Sequence, residues 1–216
     1  MRSEYGGMFY NVKDTMAINA IILDEQVKLL IPPSLKFLWA VKPFQGENLN
    51  LEKVELTICS STKIYGKKFD EVYAKKYENI FNECKKTRNV NYLGFIDNKK
   101  IIELLKKTHI YAFPSIWPET SCISAIEAMA AGCEIVSTNL GALYETCTPF
   151  GTLVGFDRNF DNLEKKYSKA LLKSIKNYWS DENQKKLKLQ AEVINMTYSW
   201  DVRSVEWKNF FDEARR

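Results

Sequence analysis

Two glutamates and a short run of small polar residues are the part of the sequence best suited to chemistry. Glu119 and Glu127 are separated by seven residues, and Thr120, Ser121 and Cys122 directly follow the first glutamate. Carboxylates bind vicinal hydroxyl groups well, because charge-assisted hydrogen bonds are about twice as strong as neutral ones. The spacing therefore predicts two polyol-binding acids on either side of a polar segment.

The segment between the acids is predicted to begin a helix over Cys122–Ala131, which ends at Gly132. The first turn of a helix presents unpaired N–H groups and the positive end of the helix dipole, so it binds anions without a charged side chain. Glu127 is expected roughly 8 Å along the helix axis, at about 1.5 Å per residue. A nucleotide sugar, with sugar hydroxyls, a diphosphate and ribose hydroxyls, matches this order of groups.

The elements around this segment alternate between short apolar runs and longer amphipathic runs. Such alternation with short connections predicts an α/β fold, a Rossmann-like, doubly wound parallel sheet. Ligands of such sheets bind beyond the carboxyl ends of the strands, where the loop with Glu119 is expected. The predicted elements before residue 160 are strands over Val54–Cys59, Val90–Leu93, Ile110–Phe113, Ile135–Thr138 and Leu153–Val154, and helices over Phe69–Lys86, after an N-cap at Asp97, and over Cys122–Ala131.

The two ends of the chain differ from this pattern. Residues 1–50 are poorly defined, because their apolar run VKLLIPPSLKFLWAV is broken by two prolines and favours no single element. Residues 51–216 are predicted to form the sheet domain and a helical tail. The aromatic residues of the last tail helix are expected to form a packing face. The tail helices are predicted over Asn162–Trp179, Asp181–Met196 and Asp201–Ala214, and the aromatic residues are Trp200, Trp207, Phe210 and Phe211.

Composition and charge exclude several classes of protein. The chain has 216 residues, 45% of them hydrophobic, which excludes a disordered, collagenous or coiled-coil chain. A net charge of +4 is too small for the basic stripe of a nucleic-acid binder. No apolar run is long enough to span a bilayer, and the start MRSEYGGMFYNVKD lacks the apolar core of a signal peptide, so a cytoplasmic protein is expected.

Cysteine and histidine content argue against metal and disulfide frameworks. The five cysteines are odd in number and show no C-x-x-C spacing, and His109 is the single histidine. Neither a disulfide framework, a thiolate zinc site nor a histidine-rich metal centre is supported. A nucleophilic role for Cys122 at the start of its helix is disfavoured, because His109 is expected at the far end of its strand and leaves no base nearby.

The segment PETSCISAIEAMAAG resembles the E-x7-E motif of retaining GT-B glycosyltransferases, the group that includes glycosyltransferase family 4 and the glycogen and sucrose synthases. The similarity runs from about Val54 to Trp207 and is best over Tyr111–Glu145, where Gly141 and Glu145 match a glycine-containing loop before an acid. The resemblance implies one half of a GT-B fold, the donor-binding domain. Residues 1–50 would then be a remnant of the acceptor domain or a linker.

The resemblance also implies roles for individual residues. Glu119 would act catalytically by contacting the ring hydroxyls of the donor sugar, and Glu127 would hold the ribose. Backbone amides near Thr120, Ser121 and Cys122 would bind the diphosphate. The backbone of a strand-end loop would read the base, and its candidate residues are Phe95 and Ile96 in the segment LGFI.

The implied reaction transfers a hexose from a nucleoside diphosphate sugar to a hydroxyl acceptor (a glycan, a lipid or a small molecule) with retention, and needs no metal or other cofactor. A full GT-B enzyme is about twice as long as this chain and places an Arg and a Lys near the leaving diphosphate. This sequence offers as substitutes only Lys36, Lys42, Lys63 and Lys67, none in a motif.

Several alternatives stay open at this stage. The chain could be a non-catalytic nucleotide-sugar-binding or interaction module, either a truncated relative or one half of a two-chain enzyme with a separate acceptor-domain chain. An oxidoreductase is disfavoured because no G-x-G-x-x-G follows a strand, and a glycosidase because it has no use for an anion site between its acids. Glu119 and Glu127 could also be solvated surface acids, and Glu145 could be a cap. The lysines of residues 165–188 favour a solvated face over peripheral membrane contact.

Overall fold

The computed structural model describes residues 40–41, 55–59, 63, 67–87 and 90–215. The predictions for the rest of residues 1–50, including Lys36 and Lys42, lie outside these ranges. The elements are β1 (Ala40–Val41), β2 (Leu56–Ile58), α1 (Lys67–Lys86), β3 (Val90–Tyr92), α2 (Asn98–Leu105), β4 (Ile110–Phe113), α3 (Ile123–Ala130), β5 (Glu134–Thr138), α4 (Leu143–Cys147), β6 (Thr152–Val154), α5 (Phe160–Asn177), α6 (Asp181–Thr197) and α7 (Trp200–Ala214).

The strands form two hydrogen-bonded sheets that lie side by side. Strands β4, β5 and β6 run parallel in that order, with Ile110 opposite Glu134. Strands β2 and β3 form a second parallel pair, and β1 contacts β2 as well as β4. Parallel strands with helices between them make this an α/β, Rossmann-like fold, and the predicted fold class is confirmed. β1 departs from the expected parallel arrangement because Ala40 pairs antiparallel with Tyr111.

Strand β4 is buried on both faces, as its continuous apolar run IYAF requires. Tyr111 and Phe113 pack into a core that also includes residues of α2, α3 and α6. Ile110 and Ala112 point the other way, into a second core formed with α5. The two-residue alternation therefore places helices on both sides of the sheet and leaves the carboxyl end of β4 as the start of an exposed loop.

Helix α6 fixes the carboxyl end of α3 through two amide side chains, one fully buried and one half-buried. Gln190 is fully buried, and its Nε2 donates hydrogen bonds to the carbonyls of Met129 (3.2 Å) and Cys133 (2.8 Å). Asn195 Nδ2 donates to the carbonyl of Ala130. The last carbonyls of a helix have no partner within the helix, so these contacts satisfy them and hold α3 firmly against the domain.

Most predicted boundaries agree with the structure to within one or two residues. Asp97 caps α2, because its side chain accepts a hydrogen bond from the Lys100 N–H at 3.1 Å. Gly132 adopts a positive φ of 86° directly after α3, as predicted for a helix-ending glycine. Helix α3 begins at Ile123, one residue later than predicted, and α4 was not predicted.

The expected packing face on the last helix is wrong within the described part of the chain. Helix α7 has no buried residue. Its four aromatic side chains are all exposed, and three of their rings contact one another. Helical spacing shows that one side of a helix is apolar, but it does not show what covers that side. The exposed aromatic residues are Trp200, Trp207, Phe210 and Phe211.

The lysines of the tail helices are largely exposed. Those of α5 and α6 are exposed except for Lys186, which is half-buried. Among the residues that the structure describes, no helix is long and apolar enough to cross a membrane.

Candidate functional site

The loop after β4 is held rigidly at Ser115, which is fully buried. Its N–H donates to the carbonyl of Phe113, and its carbonyl accepts a 2.6 Å hydrogen bond from Thr138 Oγ1. Ser115 Oγ also donates to the carbonyl of Trp117 (3.0 Å) and accepts from the Trp117 N–H (3.2 Å). These bonds fix the path of the chain just before Glu119.

Glu119 is joined to the loop after β5 by a backbone contact with Gly141. The two residues form an isolated parallel bridge, and the Ala142 N–H donates to the Glu119 carbonyl at 2.7 Å. Gly141 has a φ of +63°, and a Cβ there would come within 2.5 Å of the Glu119 carbonyl oxygen and 2.6 Å of its nitrogen. Only glycine allows this approach, so Gly141 sets the position of Glu119.

The carboxyl group of Glu119 is half-buried and lies near the start of α3. Burial raises its pKa above the ordinary value, and an interaction with the Ser115 side chain partly opposes that rise. Burial raises the pKa values of the Tyr111 hydroxyl and the Cys122 thiol, and the charge of Glu119 adds to both rises. A carboxylate with incomplete hydration gains from ligands that donate hydrogen bonds, and sugar hydroxyl groups are such ligands.

Helix α3 begins with an unusual backbone at Cys122. This residue has φ 53° and ψ 68°, a left-handed conformation that costs a non-glycine residue about 1–2 kcal/mol. A left-handed residue followed by right-handed ones turns successive N–H groups toward one side, where they can bind an anion. The N–H groups of Ile123 and Ser124 lie in the first turn and therefore have no hydrogen-bond acceptor within the helix. The Cys122 side chain does not cap the helix either.

Two further contacts hold this strained turn in place. Thr146 Oγ1, on α4, donates a 2.7 Å hydrogen bond to the Ser121 carbonyl. Beneath the turn, Ser124 Oγ lies 3.0 Å from the Tyr111 hydroxyl and 3.6 Å from Cys122 Sγ. Thr120 and Ser121 are exposed. The start of α3 is therefore a fixed turn beside Glu119, in which Ile123 is half-buried and Cys122 and Ser124 are buried.

Glu127 lies four residues after the first residue of α3, about 6 Å along the axis at 1.5 Å per residue. This distance is shorter than predicted because the helix begins at Ile123. Glu127 is half-buried, whereas Ser124, Ala125, Ile126, Ala128 and Met129 of the same helix are buried. The structure thus leaves this acid partly accessible on a helix that is otherwise largely covered.

The loop after β3 approaches the same region. Gly94 turns the chain with a φ of +64°, Phe95 is exposed, and Ile96 packs against the core that contains Cys122 and Ala125. Cys59, directly after β2, belongs to that core too. The ends of β2, β3 and β4 therefore lie around one core beneath the start of α3.

Comparisons with known proteins show the family of this chain. The family model for "Glycosyl transferases group 1" matches residues 47–192, which include both glutamates and the start of α3. The chain belongs to this glycosyltransferase family. A phosphatidyl-myo-inositol mannosyltransferase from Propionibacterium freudenreichii subsp. shermanii is 28% identical over 119 residues, 55% of this chain and 30% of the relative.

The fold of this glycosyltransferase domain is also found among solved structures. The catalytic domain of starch synthase IV from Arabidopsis thaliana, solved bound to ADP and acarbose, superimposes with a TM-score of 0.51 at 17% identity. The match covers 90% of this chain and 44% of the starch synthase chain. The chain thus spans less than half the length of both relatives, and it corresponds to one part of the GT-B architecture.

The cysteines of this glycosyltransferase domain are free and buried. Burial raises the pKa of Cys122 to about 12, so its thiol stays protonated at neutral pH and is a poor nucleophile. His109 lies before the first residue of β4, at the opposite end of that strand from Glu119, and its ring contacts Tyr178 and Trp179. The structure therefore agrees with the sequence in disfavouring a Cys–His pair.

Of the four candidate cations, Lys63 and Lys67 lie in the described ranges. Lys63 is exposed, and Lys67 is exposed and lies 3.9 Å from Glu71 in an ion pair on α1. The loop and helix start over residues 115–124 contain neither Lys nor Arg. No group of three or more His, Cys, Asp or Glu residues suited to a metal ion occurs in the described ranges.

Of the residues that support the site, the sequence indicated Gly141, through the glycine-containing loop of the resemblance, but neither Ser115 nor Thr146. Ser115, Gly141 and Thr146 act through contacts between residues 22 to 25 positions apart, which single-sequence patterns do not encode. Gly141 carried the clearest signal, because a glycine after a buried strand often marks a close backbone approach. The roles predicted for Glu119, Thr120, Ser121, Cys122, Glu127, Phe95 and Ile96 stay predictions.

A glycine series tests the constraint at the Glu119–Gly141 bridge. We expect Gly141→Ala to lower the free energy of unfolding by roughly 2–4 kcal/mol, because its Cβ would clash with the backbone in a left-handed conformation. Gly155→Ala is the matched control, since nothing lies within 4 Å of its added Cβ, and its effect should stay within about 0.5 kcal/mol. Urea denaturation measures both, and equal effects would contradict the constraint.

The raised pKa of Glu119 predicts a pH-dependent stability difference. Between the unfolded-state and folded-state pKa values the folded state binds more protons, so stability falls as pH rises through that window. Glu119→Gln keeps the shape without the charge. Its melting temperature should therefore equal or exceed that of the wild type at pH 7, and lose this advantage near pH 4.

The exposed acid Glu192 on α6 provides the control variant. Glu192→Gln should leave the melting temperature nearly unchanged relative to wild type at both pH values. A Glu119→Gln melting temperature clearly below that of the wild type at pH 7 would show that the carboxylate stabilises the fold, contrary to its environment.

Proposed function

We propose that this glycosyltransferase domain binds a nucleoside diphosphate sugar, with the diphosphate on the N–H groups at the start of α3. The observation that carries the proposal is the left-handed Cys122 at the start of α3, three residues after the half-buried Glu119 and directly after the exposed Thr120 and Ser121. Backbone donors and the positive end of the helix dipole favour a negatively charged group there. The starch synthase IV structure contains ADP, which supports a nucleotide as the ligand class.

The sugar of the donor would lie on the Glu119 side of the diphosphate. The carboxylate is only partly hydrated, so hydrogen bonds from sugar hydroxyls would compensate for its burial and lower its pKa. The bridge to Gly141 and the bonds of Ser115 hold the loop before any ligand arrives. Such preorganisation reduces the entropy lost on binding.

The nucleoside would lie on the other side, toward Glu127 and the loop after β3. Glu127 is partly accessible on α3 and would accept hydrogen bonds from the ribose hydroxyls. The backbone around Phe95 and Ile96, which follows the left-handed Gly94, would contact the base. These roles follow the E-x7-E resemblance and the placement of the residues around one core.

The reaction we propose is transfer of a hexose to a hydroxyl acceptor with retention of configuration. The leaving diphosphate would take the proton of the acceptor hydroxyl on the same face, so no protein base is required. The enzyme would contribute mainly by orienting the donor sugar and by stabilising charge on the leaving diphosphate through backbone N–H groups. The mannosyltransferase relative supports a hexose as the transferred group.

A second candidate function is donor binding without turnover by this chain alone. The absence of Lys and Arg from residues 115–124 leaves charge on the leaving group to backbone donors. Release of free sugar or glycoside from a bound donor separates an active enzyme from a binding module.

Calorimetric titration with ADP-glucose, UDP-glucose and GDP-mannose tests the proposed site. At least one donor should bind, and Glu119→Gln and Glu127→Gln should each weaken that donor by about ten- to a hundredfold, because a hydrogen bond to a charged group contributes about 1.5–3 kcal/mol. Glu192→Gln, which removes an exposed acid on α6, should bind like the wild type. Unchanged affinity in both site variants would remove these acids from the donor site.

A further inference from the structure

The loop after β4 carries a tryptophan whose side chain belongs to neither hydrophobic core. The Trp117 side chain is 66% exposed, although Ser115 is fully buried and Ile116 packs against both cores of the domain. The chain on one side of Trp117 is therefore anchored, and its indole projects from a fixed backbone. An exposed indole contributes little to folding, so its position is available for ligand contact.

Exposed aromatic side chains follow three strands at their carboxyl ends, of which β4 and β5 are neighbours. Phe95 lies after β3, Trp117 after β4 and Tyr144 on α4 after β5. Ligands of open α/β sheets bind at this edge. Single exposed apolar residues are normal on protein surfaces. Exposure alone therefore does not mark any of the three as a ligand contact, and the contacts of its own loop must do so.

Trp117 is distinguished by its connection to Glu119 through Ser115. The Ser115 hydroxyl is hydrogen-bonded to both the N–H and the carbonyl of Trp117. The same hydroxyl interacts with the Glu119 carboxyl group. One buried side chain thus fixes the tryptophan backbone and contacts the acid proposed to hold the sugar.

We propose that Trp117 is a specificity-determining residue that stacks against the pyranose ring of the donor sugar. A pyranose presents hydroxyl groups at its edge and a face of C–H bonds, so Glu119 would bind the edge while the indole covers the C–H face. An aromatic ring gives a large apolar contact at a small cost in conformational entropy. This inference rests on the proposed function, because it requires a sugar nucleotide on the start of α3.

The test compares each nucleoside diphosphate with its sugar derivative by calorimetry. The pairs are ADP and ADP-glucose, UDP and UDP-glucose, and GDP and GDP-mannose, and the proteins are the wild type, Trp117→Ala, Trp117→Phe and Trp207→Ala. Trp207 is an exposed tryptophan on α7, outside the proposed site, and serves as the matched control. Melting curves establish that each variant is folded.

Trp117→Ala should weaken the sugar nucleotide roughly three- to tenfold and leave the affinity for the diphosphate alone unchanged. Trp117→Phe should recover most of the loss, because it restores a stacking ring, and Trp207→Ala should match the wild type. Equal weakening of both ligands by Trp117→Ala would assign Trp117 to the nucleotide or to loop structure. Unchanged binding of both would show that the indole does not touch the donor, and either result overturns the inference.

Failure of the proposed function itself gives a different pattern. If the wild type binds none of the six nucleotides, the proposed donor site is absent, and the proposed role of Trp117 is excluded as well. If the wild type binds a diphosphate and its sugar derivative equally, a donor site exists but the sugar makes no net favourable contact, which contradicts the role of Trp117 alone.

Discussion

The backbone contact between Glu119 and Gly141 is the constraint on which the candidate site depends. It joins the loop after β4 to the loop after β5 at a point where no side chain fits between the two backbones. The loop between Glu119 and α3 is thereby held against α4, whose Thr146 binds the Ser121 carbonyl. The start of α3 and the carboxyl group of Glu119 owe their relative positions to these two contacts, which neither strand pairing nor core packing supplies.

The same region carries features that reduce stability. Cys122 is held in a left-handed conformation, and Glu119 is partly buried with a raised pKa. Strain and desolvation of this kind persist only where the surrounding structure enforces them. Here the enforcement comes from buried elements: β4 is covered on both faces, and α6 satisfies the last carbonyls of α3. A rigid domain thus supports a group of polar atoms whose interactions the proposed ligand would complete.

The sequence predicted local structure well where a single physical signal dominated. The run Ile110–Phe113 ends at Pro114 and is the strand β4, and Asp97 and Gly132 mark helix ends through capping and positive φ. Helix α4 was missed because five residues are too short for a periodic pattern. The aromatic residues of α7 are predicted to form a packing face, but they are exposed in the described chain. The prediction fails because periodicity identifies an apolar face and not the element that covers it. The supporting contacts of Ser115, Gly141 and Thr146 depend on tertiary structure.

The proposed function requires that a nucleoside diphosphate binds the backbone donors at the start of α3. The most direct measurement is a titration of ¹⁵N-labelled protein with ADP, UDP and GDP, followed through backbone amide chemical shifts. The largest saturable changes should fall on the amides of residues 121–124, with smaller changes at residues 94–96. Saturable changes centred instead on the opposite edge of the sheet, around His109 and Glu134, or no changes at residues 121–124 with any of the three nucleotides, would contradict the claim.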